Sequence, residues 1–195
     1  MSVAMRKSMT LEEFLAWEEG QELRWEFDGF APVAMTGGTV EQGLIQANLI
    51  RALGNRLHGG PCRVLGSHVK IAVAGSIRYP DALVVCSPMA RGATVITDPV
   101  VVFEVLSPST ASVDHIVKNQ EYRDTPSIRR YVMLAQDRQF ATAFARTGHD
   151  WVGHIVSGDA ILDRPEIGIN VALSELYEGV SFGQVAEPGA PLLGE

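Results

Sequence analysis

Residues 98 to 110 read "DPVVVFEVLSPST", and the way this stretch folds decides how the rest of the chain is read. A run of β-branched and aromatic residues, bounded by Pro99 on one side and Ser107-Pro108 on the other, predicts a strand over residues 100 to 106. Alternation puts Val100, Val102, Glu104 and Leu106 on one face and Val101, Phe103 and Val105 on the other. Both faces are apolar, so the strand is central in its sheet and Glu104 is buried with it. An isolated carboxylate is costly to take out of water, so something positive must meet Glu104. The candidates are an arginine on a neighbouring strand, Arg130 or Arg146, or a metal ion.

Upstream, "RYPDALVVC" (residues 78 to 86) opens a second apolar run on Asp81. The connection "SPMARGATVIT" is too short for a helical crossover, which predicts that the Asp81 and Glu104 strands are antiparallel neighbours. Asp81 alone reads as an ordinary strand-end residue behind a proline. Two carboxylates on adjacent central strands, however, repel each other unless a cation lies between them.

Downstream, "SPSTASVDHIVKNQEYRD" predicts a helix capped by Ser109 or Thr110, with Asp114, Lys118 and Tyr122 on one face. Read alone, Lys118 is a solvated helix lysine paired with Asp114. Read with the carboxylates, the trio of Asp81, Glu104 and Lys118 has the parts of a metal-dependent phosphodiester hydrolase. Mg²⁺ or Mn²⁺ takes hard oxygen ligands: the two carboxylates, a main-chain carbonyl such as that of Val105, waters and a substrate phosphate.

The flanks predict the remaining elements. Thr10 and Glu13 form a capping-box pattern ahead of a helix over about residues 11 to 19. "LRWEFDGFAPVAM" reads as a hairpin about Asp28-Gly29, and "TVEQGLIQANLIRALGNRLH" as the best helix in the chain. "CRVLG", "VKIAV" and "DALVVC" read as consecutive strands, and "RRYVMLA" with "QFATAFA" as a hairpin that "DWVGHIV" extends.

With 195 residues and 46% apolar composition, one domain over residues 1 to 182 is expected, followed by a flexible tail over 183 to 195. A net charge of −7 argues against a protein that coats nucleic acid, but an enzyme needs only a local basic rim. Between Ser107 and Arg146 the bases outnumber the acids. No apolar run has membrane length, and the expected location is the cytoplasm. Cys62 and Cys86 read as buried apolar fillers. The histidines lack zinc-ligand spacing, and there is no phosphate-binding glycine loop or serine nucleophile motif.

The ordered set "WEFDG", "RYPDALVV", "VVFEVLSPST", the Asp114, Lys118, Tyr122 helix and "PSIRRYVML" resembles the Uma-two "putative restriction endonuclease" family, within the PD-(D/E)XK nuclease superfamily. The resemblance spans about residues 10 to 180. It implies an α/β fold with a central mixed β-sheet flanked by helices, restriction-endonuclease-like, and an endonuclease that hydrolyses DNA with Mg²⁺ or Mn²⁺. Asp81 and Glu104 then stand as the "D" and "E" of the nuclease motif. In the general superfamily pattern the lysine follows the glutamate by two residues, where this chain has Leu106; the resemblance places it on the next helix, as Lys118. It also makes Glu26 an additional acidic group at the metal, acting through water, where the residue alone reads as a hairpin surface group. Gln42 and His68 depart from the family pattern, which often has a histidine and an acidic residue there. A homodimer is expected, with DNA as substrate. The alternative is a catalytically silent nuclease-like domain that binds nucleic acid or a protein partner.

Overall fold

The computed structural model describes residues 8 to 35, 37 to 106 and 113 to 182, with side chains from residue 116 in the last stretch. The expected caps at Ser109 and Thr110, the Asp114 side chain and the tail over 183 to 195 lie outside the described residues. Thr10 opens α1 (Leu11–Glu18) through a full capping box: its hydroxyl accepts from the Glu13 N–H while the Glu13 carboxylate accepts from the Thr10 N–H. β1 (Trp25–Phe27) and β2 (Pro32–Ala34) form the expected hairpin. The Asp28 carboxylate turns it by accepting from the N–H groups of Phe30 and Ala31, and Gly29 takes φ +85°. Thr39 caps α2 (Val40–Leu57).

β3 (Arg63–Gly66), β4 (Lys70–Val73), β5 (Ser76–Arg78), β6 (Ala82–Val85), β7 (Val95–Ile96) and β8 (Val101–Leu106) follow. Then come α3 (Val113–Asp124), β9 (Arg130–Ala135), β10 (Phe140–Thr147), β11 (Asp150–Ser157), β12 (Ile161–Arg164), β13 (Ile169–Ala172) and α4 (Leu173–Leu176). The central sheet is mixed and six-stranded, in the order β11-β10-β9-β8-β6-β3, with β8 and β9 parallel and the other neighbours antiparallel. β12 and β13 form a separate pair.

The three runs after α2, read as consecutive strands, are divided between two sheets. β3 and β6 pair in the central sheet, but β4 belongs to a second sheet, β2-β1-β5-β4-β7. The cause is a tight turn at Ala74-Gly75, both at positive φ, which folds β4 back onto β5. β5 escapes sequence reading because it is three residues long and two of them, Ser76 and Arg78, are polar.

β8 is buried on both faces, as its composition predicts. Val101, Phe103 and Val105 pack with Ile45, Leu49 and Leu53 of α2. Val102, with Leu83 and Val85 of β6, packs with Tyr122 of α3 and with Ile71 and Val73 of the second sheet. α3 therefore lies over the face of β8 that carries Glu104.

Cys62 and Cys86 are joined as a disulfide, which corrects the reading of both as free apolar fillers. Arg63 pairs with Val85, so the two cysteines face each other at the next step of the β3–β6 register. Cross-strand pairing is a property of register, which the spacing of two cysteines does not reveal. A crosslink across 24 residues stabilises by about 3 kcal/mol on chain-entropy grounds. Replacing both cysteines by serine is expected to lower the unfolding free energy in urea by about that amount without reductant, and by much less with it. Equal stability of wild type and variant under non-reducing conditions would rule out the bond.

Candidate active site

The ladder between β6 and β8 runs Val84↔Val101, Leu83↔Val102, Ala82↔Phe103. One further step sets Asp81 opposite Glu104, on the same face, and the next sets Pro80 opposite Val105. The antiparallel relation expected of the two carboxylate strands is the observed one. Proline has no N–H, so Pro80 offers no ladder bond to the Val105 carbonyl. Asp81 takes the other half of that missing pair: its Oδ2 accepts from the Val105 N–H at 2.7 Å.

Two amides of α2, one turn apart, hold Asp81 from the opposite side. Gln42 Nε2 donates to Asp81 Oδ1 at 3.0 Å, and Gln46 Nε2 donates to the Asp81 carbonyl at 2.8 Å. Burial pushes the Asp81 carboxyl above its ordinary value, while the Val105 N–H, Gln42 and Lys118 pull it back. Among the described residues Glu104 has fewer donors. Tyr122 Oη donates to its Oε1 at 2.7 Å. Burial pushes its carboxyl up to about 8; Lys118 opposes that shift, and the nearby charges of Asp81 and Glu26 add to it.

Neither arginine considered from the sequence meets Glu104. Arg130 is paired with Glu166, and Arg146 donates to the main-chain carbonyls of Arg123, Thr125 and Ile128. Lys118 is on the face of α3 that also carries Tyr122, and both are buried. Its Nζ lies 3.1 Å from Glu26 Oε2 and 3.2 Å from Oε1. Glu26 is therefore no hairpin surface group: it is 6% exposed and also accepts from Arg78 Nη1 at 3.2 Å and the Tyr79 N–H at 3.1 Å.

Arg78 and Glu121 complete the cluster and were missed in the sequence. Arg78, 2% exposed, donates from Nε and Nη2 to the two oxygens of Glu121, both at 2.7 Å, and Ser76 Oγ donates to Glu121 at 2.8 Å. The only signal was the position of Glu121 beside Tyr122 on a helix already assigned to the site. Gln46 was also missed, although it follows Gln42 by one helical turn.

Among the described residues this buried cluster holds four acids, Glu26, Asp81, Glu104 and Glu121, against two bases, Arg78 and Lys118. With every group ionised it lacks two positive charges, and the proton affinity of Glu104 is one expression of that deficit. No three Asp, Glu, His or Cys side chains among the described residues stand together as a metal-binding set. Two carboxylates and a main-chain carbonyl fit a hard dication that keeps waters and takes substrate oxygens. They are a poor match for zinc, whose sites are built mainly from histidine nitrogen and cysteine sulfur.

A carboxyl whose folded value lies above its unfolded value of 4.5 takes up a proton on folding. Stability is therefore lost as pH rises from about 4.5 through about 8. Glu104→Gln keeps an acceptor for Tyr122 and carries no charge. In chelator, thermal melts from about pH 5 to about pH 9 are expected to show its stability over wild type growing with pH. A gap that stays constant across that range would mean that Glu104 is not held in its protonated form.

The Uma2 family model, described as "Putative restriction endonuclease", matches residues 11–174. An uncharacterised protein of Synechocystis sp. is 31% identical over 175 residues, 88% of this chain and 92% of that one. A second from the same organism is 28% identical over 141 residues, covering 70% of this chain and 80% of the relative. The crystal structure of a protein from Anabaena variabilis, described as "a putative nuclease", superposes with a TM-score of 0.72 at 16% identity, over 87% of this chain and 98% of that one. That likeness speaks to the restriction-endonuclease-like fold. Through the match over residues 11–174, the chain belongs to the Uma2 family of restriction-endonuclease-like proteins.

Proposed function

We propose that this protein is a PD-(D/E)XK endonuclease that hydrolyses phosphodiester bonds in DNA with Mg²⁺ or Mn²⁺. Asp81, Glu104 and the Val105 carbonyl are the ligands, Lys118 is the catalytic cation, and Glu26 acts at one remove. The family description supports a nuclease-like function. The observation that carries the finer reading is the pair Asp81 and Glu104, buried side by side in a cluster two positive charges short.

When bound, the ion supplies the Lewis acidity that activates water and offsets charge developing on the phosphate. The chain's own residues do the rest. Val105 N–H and Gln42 fix the two oxygens of Asp81, and Tyr122 fixes Glu104. Lys118 stands among three carboxylates as a cation, which suits orienting the attacking water and stabilising the pentavalent transition state better than proton abstraction. Glu26 was expected to reach the ion through water. The reading favoured by its contacts is that it holds Lys118 in place while Arg78 holds Glu26.

The same reading takes residues 1 to 182 as one domain that assembles as a homodimer, giving two sites for two strands. No helix among the described residues is long and apolar enough to cross a membrane, and we place the protein in the cytoplasm. Because the cytoplasm keeps most thiol pairs open, a Cys62–Cys86 bond that persists in a glutathione buffer of cytoplasmic poise would count against that location. A silent nuclease-like domain that binds nucleic acid or a protein partner is the second reading. It is favoured by the lack of a third acidic or imidazole ligand among the described residues.

Mn²⁺ titration calorimetry and nicking of supercoiled DNA test the proposal together. Asp81→Ala and Glu104→Ala are expected to lose both Mn²⁺ binding and nicking. Lys118→Met is expected to keep Mn²⁺ binding and to lose roughly 10²- to 10³-fold in rate, the range for one removed transition-state charge contact. Mn²⁺ affinity unaffected by Glu104→Ala would refute the metal site, and intact Mn²⁺ binding without nicking by wild type would select the silent reading. A further substitution tests the buried network. Arg78→Ala strands Glu121 and half of Glu26, and is expected to cost about 3 to 5 kcal/mol in urea unfolding.

A further inference from the structure

α2 begins beside the candidate centre, since Gln42 of its first turn donates to Asp81 Oδ1 at 3.0 Å. A Cβ on Gly38, just ahead of the helix, would lie 2.3 Å from Gln42 Oε1, so this glycine leaves the Gln42 amide the place from which it reaches Asp81. The first N–H groups of a helix have no partner within it. In α2 the Thr39 hydroxyl accepts from the Gln42 N–H at 3.2 Å, and the Thr39 carbonyl accepts from the Gly43 N–H at 3.1 Å. Among the described residues nothing meets the N–H groups of Val40 and Glu41, and the chain is exposed at Thr39 and Val40.

The cap lacks an acceptor. The Thr39 hydroxyl donates to Gln136 Oε1 at 2.8 Å, which sets the Gln136 amide against the start of the helix. Gln136 is 6% exposed, and its Nε2 donates to nothing among the described residues. Turning the amide over lets Nε2 donate to the Thr39 oxygen, but the hydroxyl proton then loses its acceptor. In either arrangement one donor of the pair is left over, beside two free backbone N–H groups. The Glu41 carboxylate, in the same turn, accepts from none of the three. Three spare donors at the positive end of a helix dipole call for a ligand that carries negative charge and only accepts.

We propose that the start of α2 binds a phosphate of the substrate strand, next to the phosphodiester held at Asp81 and Glu104. The N–H groups of Val40 and Glu41 and the exposed Thr39 hydroxyl donate to its oxygens, while the Gln136 amide, turned over, donates to Thr39. The inference rests on the endonuclease reading of that centre. It gives a chain of net charge −7 a hold on the nucleic-acid backbone that is made of neutral donors and carries no sequence preference.

Val40 allows the test. It is 75% exposed and is the first residue of the helix, and Thr39 before it is extended, with φ −83° and ψ 169°, which suits a following proline. Val40→Pro removes one N–H, and Val40→Ala keeps it. Anisotropy of a fluorescein-labelled duplex of about twenty base pairs, two helical turns, reads the affinity in chelator. Val40→Pro is expected to bind about tenfold more weakly than Val40→Ala, with equal Mn²⁺ affinity in the two. Gln136→Glu keeps the acceptor for Thr39 but replaces the amide donor by a charge that repels phosphate, and a loss at least as large is expected. Equal duplex affinity of the two folded Val40 variants would overturn the site, as would absence of duplex binding by wild type. If wild type nicks DNA and Glu104→Ala does not, equal affinity of the Val40 variants would remove the phosphate site alone and leave the endonuclease reading standing.

Discussion

Two carboxylates on one face of adjacent buried strands are the constraint on which the rest of the structure depends. Neither Asp81 nor Glu104 can be moved without breaking the register of β6 and β8, and neither sits comfortably as a bare charge. The neighbourhood answers in proportion to the demand. Asp81, at the strand end, draws donors from the backbone of β8 and from two amides of α2. Glu104, deeper, has the Tyr122 hydroxyl and the field of Lys118, and burial still outweighs both.

That demand explains why the second sheet and α3 lie where they do. Phe27 pairs with Ile77, which sets Glu26 and Arg78 opposite each other one step along the β1–β5 register. Arg78 reaches Glu121, and Glu26 reaches Lys118, so two ion pairs tie the small sheet to one face of α3. The same helix face presents Tyr122 to Glu104. Lys118 is thus fixed by Glu26 of β1, which Arg78 of β5 holds in turn. Holding Lys118 through Glu26 has a cost, because Glu26 adds another buried negative charge. Arg78 offsets that charge, and its own second partner, Glu121, restores the deficit.

What the sequence made legible were features with local causes. Alternation identified the buried strand around Glu104, the short connection gave its antiparallel neighbour, and helical spacing placed Lys118 with Tyr122. The capping box at Thr10 and the hairpin at Asp28 were equally local. What stayed hidden depended on register or on the tertiary partner. Arg78 lies in a three-residue strand with no periodicity to read, and its burial makes sense only once Glu26 and Glu121 are seen beside it. The Cys62–Cys86 bond is a consequence of how β3 aligns on β6. Gln42, a departure from the family's usual residue, turns out to donate to the Asp81 carboxylate, a role open to any long side chain with an N–H at that point of α2.

Pro80 shows how a residue without chemistry of its own shapes the candidate centre. Had an ordinary residue stood there, its N–H and carbonyl would have continued the ladder, bonding both polar groups of Val105. Proline removes the donor that would meet the Val105 carbonyl from that position, while the Val105 N–H donates to the Asp81 carboxylate. One cyclic side chain therefore ends a strand pair beside the carboxylate that takes the Val105 N–H. The arginine explanation of Glu104 fails on the other side of the comparison, since Arg130 and Arg146 are each committed elsewhere. A cluster two charges short is better matched by a dication than by either of those two arginines.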